Sequence, residues 1–355
     1  MMLLDDLIRT MPKVDLHVHL EGSVSPDTLR RLAEKQQRLA DFNQLSFSNS
    51  SFMFSGFNQF RQQFRLITEL LKTQDDFALV AYECGKEMFK QNIMYQEMYV
   101  SVLLHTYFAH QKIDIHKLLA GLEQGRQQAK EEFGVEIRWI FGIPRRRCFS
   151  DDWRYQPAVA ETALEYALLG RDFGVVGIGL GGSEVDAPTK PFESIFLEAK
   201  DQGLHSIPHA GETAGSENVR DAIIYLKADR IGHGIRAVED DDVVDLLVDK
   251  QIPLDISLSS NVCLNVVLDY ESHPVQRLIQ AGVAVTLSSD DPTLFGSDLS
   301  NEYRLFHDHY CDEISTLIDI AKRSINYCAA GNELKTALHS RFDSWQSSLL
   351  FSDVV

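Results

Sequence analysis

The sequence is short of basic residues and has no basic run longer than three residues. Lys and Arg number 34 against 52 Asp and Glu, so the 355 residues carry a formal net charge of −18. Because such a charge repels polyanions, we expect no nucleic-acid partner. No stretch approaches the roughly 18 apolar residues that cross a bilayer, and the first dozen residues lack the basic start of a signal peptide. We therefore also expect no membrane partner.

Paired cysteines are lacking as well. The five cysteines are scattered and form no CxxC pair: Cys84, Cys148, Cys263, Cys311 and Cys328. Such a set is typical of reduced thiols, so we expect a cytoplasmic protein. What the chain does have is apolar residues, 44% of the total, enough to bury a large core. We interpret residues 1–355 as a single domain, because α/β barrels of this length form one unit.

Short apolar segments alternate along the chain with longer segments of helical periodicity. The predicted strands are 13–20, 93–101, 136–143, 175–182, 205–211, 230–234, 253–260 and 284–290. Several are nearly continuous apolar runs, which is typical of parallel strands buried on both faces. Helices are predicted at 76–91, 114–133, 155–172, 191–202, 216–227, 238–249 and 273–281. The alternation predicts the α/β class, as a (β/α)₈ TIM barrel.

Two regions depart from this repeat. Residues 40–75 lie between the first two strands and are rich in Ser, Asn and Phe. Their phenylalanines suggest a helical insertion that packs over the barrel mouth as a lid, although ordinary core packing would explain most of them singly: Phe52, Phe54, Phe57, Phe60 and Phe64. The tail from Asn301 to Val355 is predicted to be helical.

Two histidines end the first predicted strand. His17 and His19 flank one valine, and period-two spacing puts both rings on one face of a strand. An HxH pair alone is more often coincidence than a metal site. The chain has a second one, His307 and His309, in a predicted helix, where residues two apart point in different directions. We interpret that second pair as a surface feature.

Polar residues also end three later strands. His209 and Glu212 follow the fifth, His233 ends the sixth, and Asp290 and Asp291 end the eighth. In a βα barrel the carboxyl ends of all strands share one face, where active sites are built. We therefore expect these side chains to converge on one pocket. Four of them supply the nitrogen and oxygen donors that zinc accepts, with a position left for water: His17, His19, His209 and Asp290.

Several segments together resemble a known family. HVHLEGS, GLGGSEV, HAGET, RIGHG and SSDDPTLFG are similar to the signature segments of the adenosine deaminase family, within the metal-dependent amidohydrolase superfamily. The resemblance runs from about residue 12 to residue 305. It implies the same four metal ligands and a single Zn²⁺ per chain. The fourth strand lacks the terminal lysine that bridges two metals in related enzymes.

The resemblance also implies roles around the substrate. Glu212 would donate a proton to N1 of the purine, and His233 would take a proton from the attacking water. The catalytic set would be Glu212, His233 and Asp291, with Asp291 facing N7. The substrate-binding set would be Glu21 near the ribose, the Gly182 N–H at N3, His19 beside the metal, and Asp291. Two segments depart from the family pattern, namely SLSSN (257–261) and the Gly182-Ser183-Glu184 triplet.

The implied reaction is zinc-dependent hydrolytic deamination of a 6-aminopurine nucleoside. Adenosine or deoxyadenosine would become inosine or deoxyinosine, with release of ammonia. Aminodeoxyfutalosine and free adenine are alternative substrates, and GLGGSEV and SIPHAGETAG resemble the aminodeoxyfutalosine type. An amidohydrolase acting on a cyclic amide or phosphoester, and a non-catalytic metal-binding barrel, are hypotheses of other classes. The sequence retains Glu212 and all four ligands, which favours an enzyme.

Overall fold

The computed structural model describes residues 4–45, 57–185 and 187–352. Its strands are β1 Lys13–His19, β2 Ile93–Val100, β3 Glu136–Pro144, β4 Val175–Gly181, β5 His205–Ser206, β6 His209–Ala210, β7 Ile231–His233, β8 Leu254–Ile256 and β9 Val285–Leu287.

Helices separate these strands and extend beyond the last one. They are α1 Leu4–Thr10, α2 Pro26–Lys35, α3 Leu39–Phe42, α4 Phe57–Thr68, α5 Gln74–Lys90, α6 Val102–Thr106, α7 Ile115–Phe133, α8 Pro157–Leu169, α9 Glu193–Asp201, α10 Ser216–Ile224, α11 Asp241–Lys250, α12 Leu258–Cys263, α13 Val275–Gln280, α14 Pro292–Phe295, α15 Leu299–Tyr310, α16 Ile314–Tyr327 and α17 Asn332–Ser352. No helix among the described residues is both long and apolar enough to span a bilayer.

The strands form a closed parallel ring. β1 to β5 pair in chain order, and β6 to β9 do the same, always in parallel. The ring closes where the Asp290 N–H donates to the His17 carbonyl (2.9 Å) and the His19 N–H donates to the Asp290 carbonyl (2.8 Å). The predicted α/β barrel, with its helical tail, is thereby confirmed. Closure of the ring therefore brings His17 and His19, near the start of the chain, next to Asp290, near its end.

Burial explains why these segments form strands. Every residue of β2 is buried, because barrel side chains pack either into the interior or against the helices outside. N-terminal caps stabilise helices of the outer layer. Thr73 and Asp76 form a capping box at the start of α5, and Asp114 accepts the first N–H groups of α7.

The predicted fifth strand, 205–211, consists of two short strands. β5 and β6 flank Ile207 and Pro208, and proline has no N–H to donate to a ladder. The Ile207 N–H still donates to the Ile178 carbonyl of β4, and the Pro208 carbonyl still accepts from the Gly232 N–H. The segment therefore acts as one barrel position that joins the two sheets.

The predicted seventh strand, 253–260, is wrong in its second half. The strand ends at Ile256, and Leu258 begins helix α12. The cause is a distant side chain, since the buried Glu302 carboxylate accepts the N–H groups of Leu258 (2.7 Å) and Ser259 (3.3 Å). This carboxylate satisfies the free N–H groups at the helix start and so favours the turn.

The inserted segment contributes a helix to the barrel mouth. Phe57, Phe60 and Phe64 lie on α4, whereas Phe52 and Phe54 lie outside the described residues. The Phe60 ring stacks on Phe295 at 5.4 Å. The Phe64 ring meets His19 edge-on at 6.1 Å. The helical insertion after the first strand thus packs against the face where the strands end.

Candidate active site

The first strand and the last strand supply the core of the site. His17 and His19 point to the same side of β1, as their spacing predicts. Their Nε2 atoms lie 3.6 Å and 3.4 Å from Asp290 Oδ1. Asp290 follows β9 at the seam of the ring, so barrel closure sets these distances.

His209, at the start of β6, completes a compact group of donors. Its Nε2 lies 3.1 Å from Nε2 of His19, and its ring centroid is 4.4 Å from that of His17. Two overlapping groups have ligand atoms within 4.8 Å of one another: His17 with His19 and Asp290, and His17 with His209 and His233. The cluster can therefore bind a metal ion.

The state of these rings fits metal binding. Both ring nitrogens of His17, and Nδ1 of His209, are buried without a hydrogen-bond partner among the described atoms. Burial, followed by the neighbouring histidines, lowers the pKa of His17 and of His209 well below the usual value. Both rings are thus neutral, as histidine ligands must be. Burying an imidazole whose two nitrogens have no hydrogen-bond partner costs folding free energy unless the ring binds a ligand such as a metal ion.

Two glycines make room for the site. A Cβ on Gly232 would lie 2.3 Å from Cε1 of His17, and a Cβ on Gly22 would lie 1.8 Å from Oδ1 of Asp291. Two site residues, His233 and Asp290, instead have φ values of 63° and 61°. The left-handed region is strained for side chains other than glycine, and such strain often accompanies function.

Glu212 lies in the loop after β6 and is buried. Burial, followed by the charges of Asp290 and Glu184, raises the pKa of Glu212 well above its usual value. Glu184 also holds this loop in place. Its carboxylate accepts the N–H groups of Gly211 (2.8 Å), Glu212 (2.9 Å) and Thr213 (2.8 Å). Glu212 is therefore a positioned carboxyl group whose protonated form is favoured by burial and by its charged neighbours.

His233 ends β7 and faces the carboxyl groups. Its Nε2 lies 3.8 Å from Glu212 Oε1 and 3.9 Å from Asp290 Oδ2. Its other nitrogen, Nδ1, lies 3.3 Å from Nδ2 of Asn261, whose Oδ1 lies 3.0 Å from Nε2 of His273. His233 therefore belongs to a chain of side chains that leads away from the site.

A backbone group fixes the proton positions along this chain. The Val275 N–H donates to Nδ1 of His273 (3.1 Å), so the neutral His273 ring carries its proton on Nε2 and donates to Asn261. Burial lowers the pKa of His273 to about 3, which keeps it neutral. Asn261 then presents its NH₂ group to Nδ1 of His233. In neutral His233 the ring proton accordingly lies on Nε2, toward Asp290.

The remaining predicted residues occupy different positions. Asp291 is buried; burial, followed by the charge of Asp290, raises its pKa well above the usual value. Its Oδ1 has no partner among the described residues. Gly182 follows β4 with a φ of 96°. Glu21 lies deeper, with Oε1 accepting from the Ser101 N–H (2.9 Å) and 2.9 Å from His105 Nε2.

One cavity of about 580 Å³ opens onto this group. Seven of the site residues predicted from the sequence line this cavity: His19, Gly182, His209, Glu212, His233, Asp290 and Asp291. Aromatic residues Phe57, Phe60, Phe64, Tyr99 and Phe108 line it as well. Glu21 and His17 are not among the lining residues; both are fully buried.

The second HxH pair lies away from the cavity. His307 and His309 are on α15, near Asp308 and Glu271 respectively. Neither belongs to a group of described residues able to hold a metal. Helical spacing thus separates this pair from the strand pair of the same pattern.

Sequence reasoning missed the roles of Asn261, His273 and Glu184. Asn261 and Glu184 end SLSSN and Gly-Ser-Glu, two segments that depart from the family pattern at other positions, so the departures themselves did not point to these two residues. His273 precedes a proline in a loop and gave no signal. Its contact with Asn261 follows only from the fold.

Comparison with known proteins gives the same family. A model of the family described as adenosine deaminase matches residues 12–345. An aminodeoxyfutalosine deaminase of Streptomyces avermitilis is 32% identical over 361 aligned residues, covering 98% of this chain and 94% of that protein. An adenine deaminase of Cupriavidus taiwanensis is 32% identical over 305 residues, covering 86% and 84%.

A solved structure has the same fold. It is an amidohydrolase from Burkholderia ambifaria with bound zinc, at a TM-score of 0.84, 23% identity and coverage of 99% of this chain and 96% of that one. The expected enzyme class is confirmed by the family match and by relatives that are deaminases. This chain belongs to the adenosine deaminase family and is a deaminase of aminopurine-like substrates, built on the amidohydrolase barrel.

Proposed function

We propose that the protein catalyses zinc-dependent hydrolytic deamination of a 6-aminopurine nucleoside. One observation carries this proposal: the buried Glu212 carboxyl, with its raised pKa, shares a cavity with His19, His209 and Asp290. Replacing an aromatic amino group by the oxygen of water needs a proton donor to a ring nitrogen and an activated nucleophile at the adjacent carbon that carries the amino group. We also propose that the protein is cytoplasmic, because its five cysteines are free thiols, which are typical of proteins in a reducing compartment.

Four residues would hold the zinc ion: His17, His19, His209 and Asp290. Zinc bound there would supply Lewis acidity, which lowers the pKa of a bound water to roughly 7. His233 also lies within reach of His17 and His209, but we assign it outside the ligand set, because its Nδ1 accepts from Asn261 and its Nε2 carries a proton. One ion per chain is the stoichiometry of this set.

Glu212 acts as the proton donor to N1 of the purine. A carboxyl with an ordinary pKa would be ionised near pH 7 and could only accept a proton. The raised pKa of Glu212 keeps its proton available, so the group can donate as C6 becomes tetrahedral. Because only the protonated form of Glu212 can donate, activity is present below the Glu212 pKa and is lost as the pH rises through it.

His233 orients the attacking water, and Asp290 receives its proton. This division differs from the role of base that the sequence suggested for His233. Neutral His233 offers Nε2–H toward the water, since Asn261 occupies Nδ1. Asp290 Oδ2 lies 3.9 Å from that Nε2, so both groups can reach one water molecule between them. The carboxylate can then accept the proton that His233 cannot and pass it to the amino group, which leaves as ammonia when the C6–N bond breaks; the hydroxyl left on C6 gives its proton back to Glu212.

Asp291 and Gly182 read the ring. N7 of a purine is an acceptor, and Asp291 with its raised pKa has a proton to donate. Gly182 lines the same cavity, and its N–H would donate to N3. Such a site rejects rings that lack these acceptors strongly, because its buried polar groups would be left unpaired. Glu21 contacts Ser101 and His105, so we assign it to holding the site and not to the ribose.

The cavity favours a nucleoside over a free base. Its volume of about 580 Å³ lies in the range that encloses drug-sized ligands. A bare purine would leave much of the aromatic lining without a contact. Aminodeoxyfutalosine is the second candidate, because the relative of that name covers 98% of this chain, against 86% for the adenine deaminase.

We expect purified protein to contain one tightly bound zinc. Asp290→Ala should lose the metal, because the carboxylate is the anionic ligand of the set. Metal analysis by mass spectrometry measures this without activity. The matched controls are His307→Ala and His309→Ala, which remove histidines of the second HxH pair and should retain zinc. Two equivalents of metal, or none in an active sample, would contradict the assignment.

Glu212→Gln should keep its zinc and its melting temperature but lose at least about a hundredfold in kcat, the usual scale for a general acid. The amide keeps the shape but has no proton to transfer. The control is Glu217→Gln, an exposed carboxylate of the next helix, which should remain active. Wild-type kcat/KM should fall at high pH. Near-normal turnover by Glu212→Gln would reduce Glu212 to a structural role.

Asn261→Ala should lower kcat by about ten- to a hundredfold with little change in KM, because neutral His233 would no longer be held with its proton on Nε2. Asn261→Asp has the same shape but can only accept, so it should be as damaging. Ser260→Ala is the control, since this buried hydroxyl of the same helix has no partner among the described residues. An active Asn261→Asp would show that only the side-chain shape matters.

A substrate panel tests the function itself. Adenosine, deoxyadenosine, aminodeoxyfutalosine, adenine and cytidine are compared by kcat/KM with one preparation, following the loss of absorbance of the adenine ring. We expect 6-aminopurine nucleosides to be deaminated, with adenine slower and cytidine inert. Turnover of cytidine, or of none of the 6-aminopurines, would refute the function. Adenine as the best substrate would refute only the nucleoside preference.

A further inference from the structure

The cavity has an excess of positive charge outside the metal cluster. Arg61 and Arg65 line it from α4, and three consecutive arginines, 145–147, line it from the turn after β3. Among the described lining residues, Glu69 is the only carboxylate apart from Glu212, Asp290 and Asp291. This local excess contrasts with the net charge of −18 for the whole chain.

Three of these guanidinium groups already have partners. Arg65 pairs with Glu69 at 3.0 Å. Arg145 is buried and donates to the His209 carbonyl at 3.1 Å, which ties β3 to a metal ligand. Arg146 donates to a carbonyl of its own turn at 2.8 Å. These three arginines therefore stabilise the wall of the cavity through contacts within the protein.

Arg61 and Arg147 are different. Neither side chain has a carboxylate within 4 Å or a hydrogen-bond partner among residues 4–45, 57–185 and 187–352. The Arg147 guanidinium lies over the Phe108 ring, 5.1 Å from its centre, which holds it at the cavity wall. Most arginines of the chain do pair with an Asp or Glu, as the surplus of acidic residues allows. Among the described residues, Arg61 and Arg147 thus line the cavity of the metal cluster with neither a carboxylate nor a hydrogen-bond partner, unlike Arg145, which donates to backbone carbonyls.

We propose that the substrate carries an anionic group, a carboxylate or a phosphate, on its ribose side and that Arg61 and Arg147 bind this group. The inference rests on the proposed function. Glu212 and Asp291 would fix the purine at the metal end, so the remaining lining is left to whatever N9 carries. Guanidinium forks match the two oxygens of a carboxylate or phosphate, and such charge-assisted bonds are stronger than neutral ones.

The aromatic lining is consistent with a substituent longer than ribose. Phe57 and Phe60 on α4, and Phe108 after α6, line the cavity together with the two arginines. An apolar or aryl spacer between the sugar and the anion would find contacts there. Uncharged adenosine would leave Arg61 and Arg147 solvated and should bind without their help.

Steady-state kinetics test the proposal with four substrates. They are adenosine, adenosine 5′-monophosphate, adenosine 5′-carboxylate, and aminodeoxyfutalosine, whose 5′ substituent ends in a benzoate. Wild type is compared with Arg61→Gln, Arg147→Gln and the control Arg171→Gln. Arg171 lies before β4, outside the cavity lining, and also has no carboxylate partner among the described residues. Melting temperatures verify that the variants fold.

We expect at least one anionic substrate to exceed adenosine in kcat/KM by about tenfold or more. Arg61→Gln and Arg147→Gln should lower that advantage by about ten- to a hundredfold, the range for hydrogen bonds to charged groups. The loss should be in KM, and added salt should raise KM for the anions only. Adenosine turnover should stay within about twofold in both variants, and Arg171→Gln should change neither class of substrate.

The outcomes separate this inference from the function on which it rests. A preference for the phosphate or for a carboxylate would each support it and would identify the source of the charge. Adenosine performing as well as every anion, or variants that slow adenosine and the anions alike, would overturn the anion site while the deaminase function stands. Absence of turnover with all four substrates in zinc-containing protein would overturn both.

Discussion

A buried arginine holds the barrel in register. Nη2 of Arg230 donates to Glu97 (2.6 Å) and to the Leu16 carbonyl (2.9 Å), and its Nε donates to Asp255 (2.6 Å). These bonds join β1, β2 and β8 to the start of β7. Leaving one charge of such a buried set unpaired costs several kcal/mol, so a slipped register is strongly disfavoured. Leu16 adjoins His17, and the same bonds therefore fix the position of His17, a proposed metal ligand, relative to the other strands of the ring.

Burial then sets the protonation of the site. Removal from water disfavours every charged form, which makes His17 neutral and raises the pKa of Glu212 and of Asp291. The carboxyl groups also repel one another, because Asp290 lies among them and its charge raises the pKa of both neighbours. One buried cluster thus brings together neutral imidazoles that could bind a metal and carboxyl groups whose protonated form is favoured. The same burial therefore shifts the pKa of several site residues at once.

The sequence predicted what depends on local pattern. Alternating apolar segments gave the barrel, and period-two spacing gave His17 and His19 a common face. It failed where distant side chains decide the local structure. Glu302 ends the seventh strand early, although it lies more than 40 residues further along the chain, and Pro208 divides the fifth. The position of the His233 proton depends on His273 through Asn261. A loop histidine has no periodicity that could reveal such a contact.

The two ends of the cavity are built on different kinds of structure. The proposed metal ligands lie on or next to β1, β6 and β9, which are held in the parallel ring, and the buried ion network fixes the position of β1, which carries two of them. Arg61 lies on a helix of the inserted segment, and Arg147 in a turn after β3, where substitutions leave the ladder intact. Chemistry and substrate choice can then vary independently. Relatives that share about a third of their residues with this chain are accordingly deaminases of different substrates, aminodeoxyfutalosine and adenine. Differences among these relatives should be sought at the rim of the cavity and not around the proposed metal site.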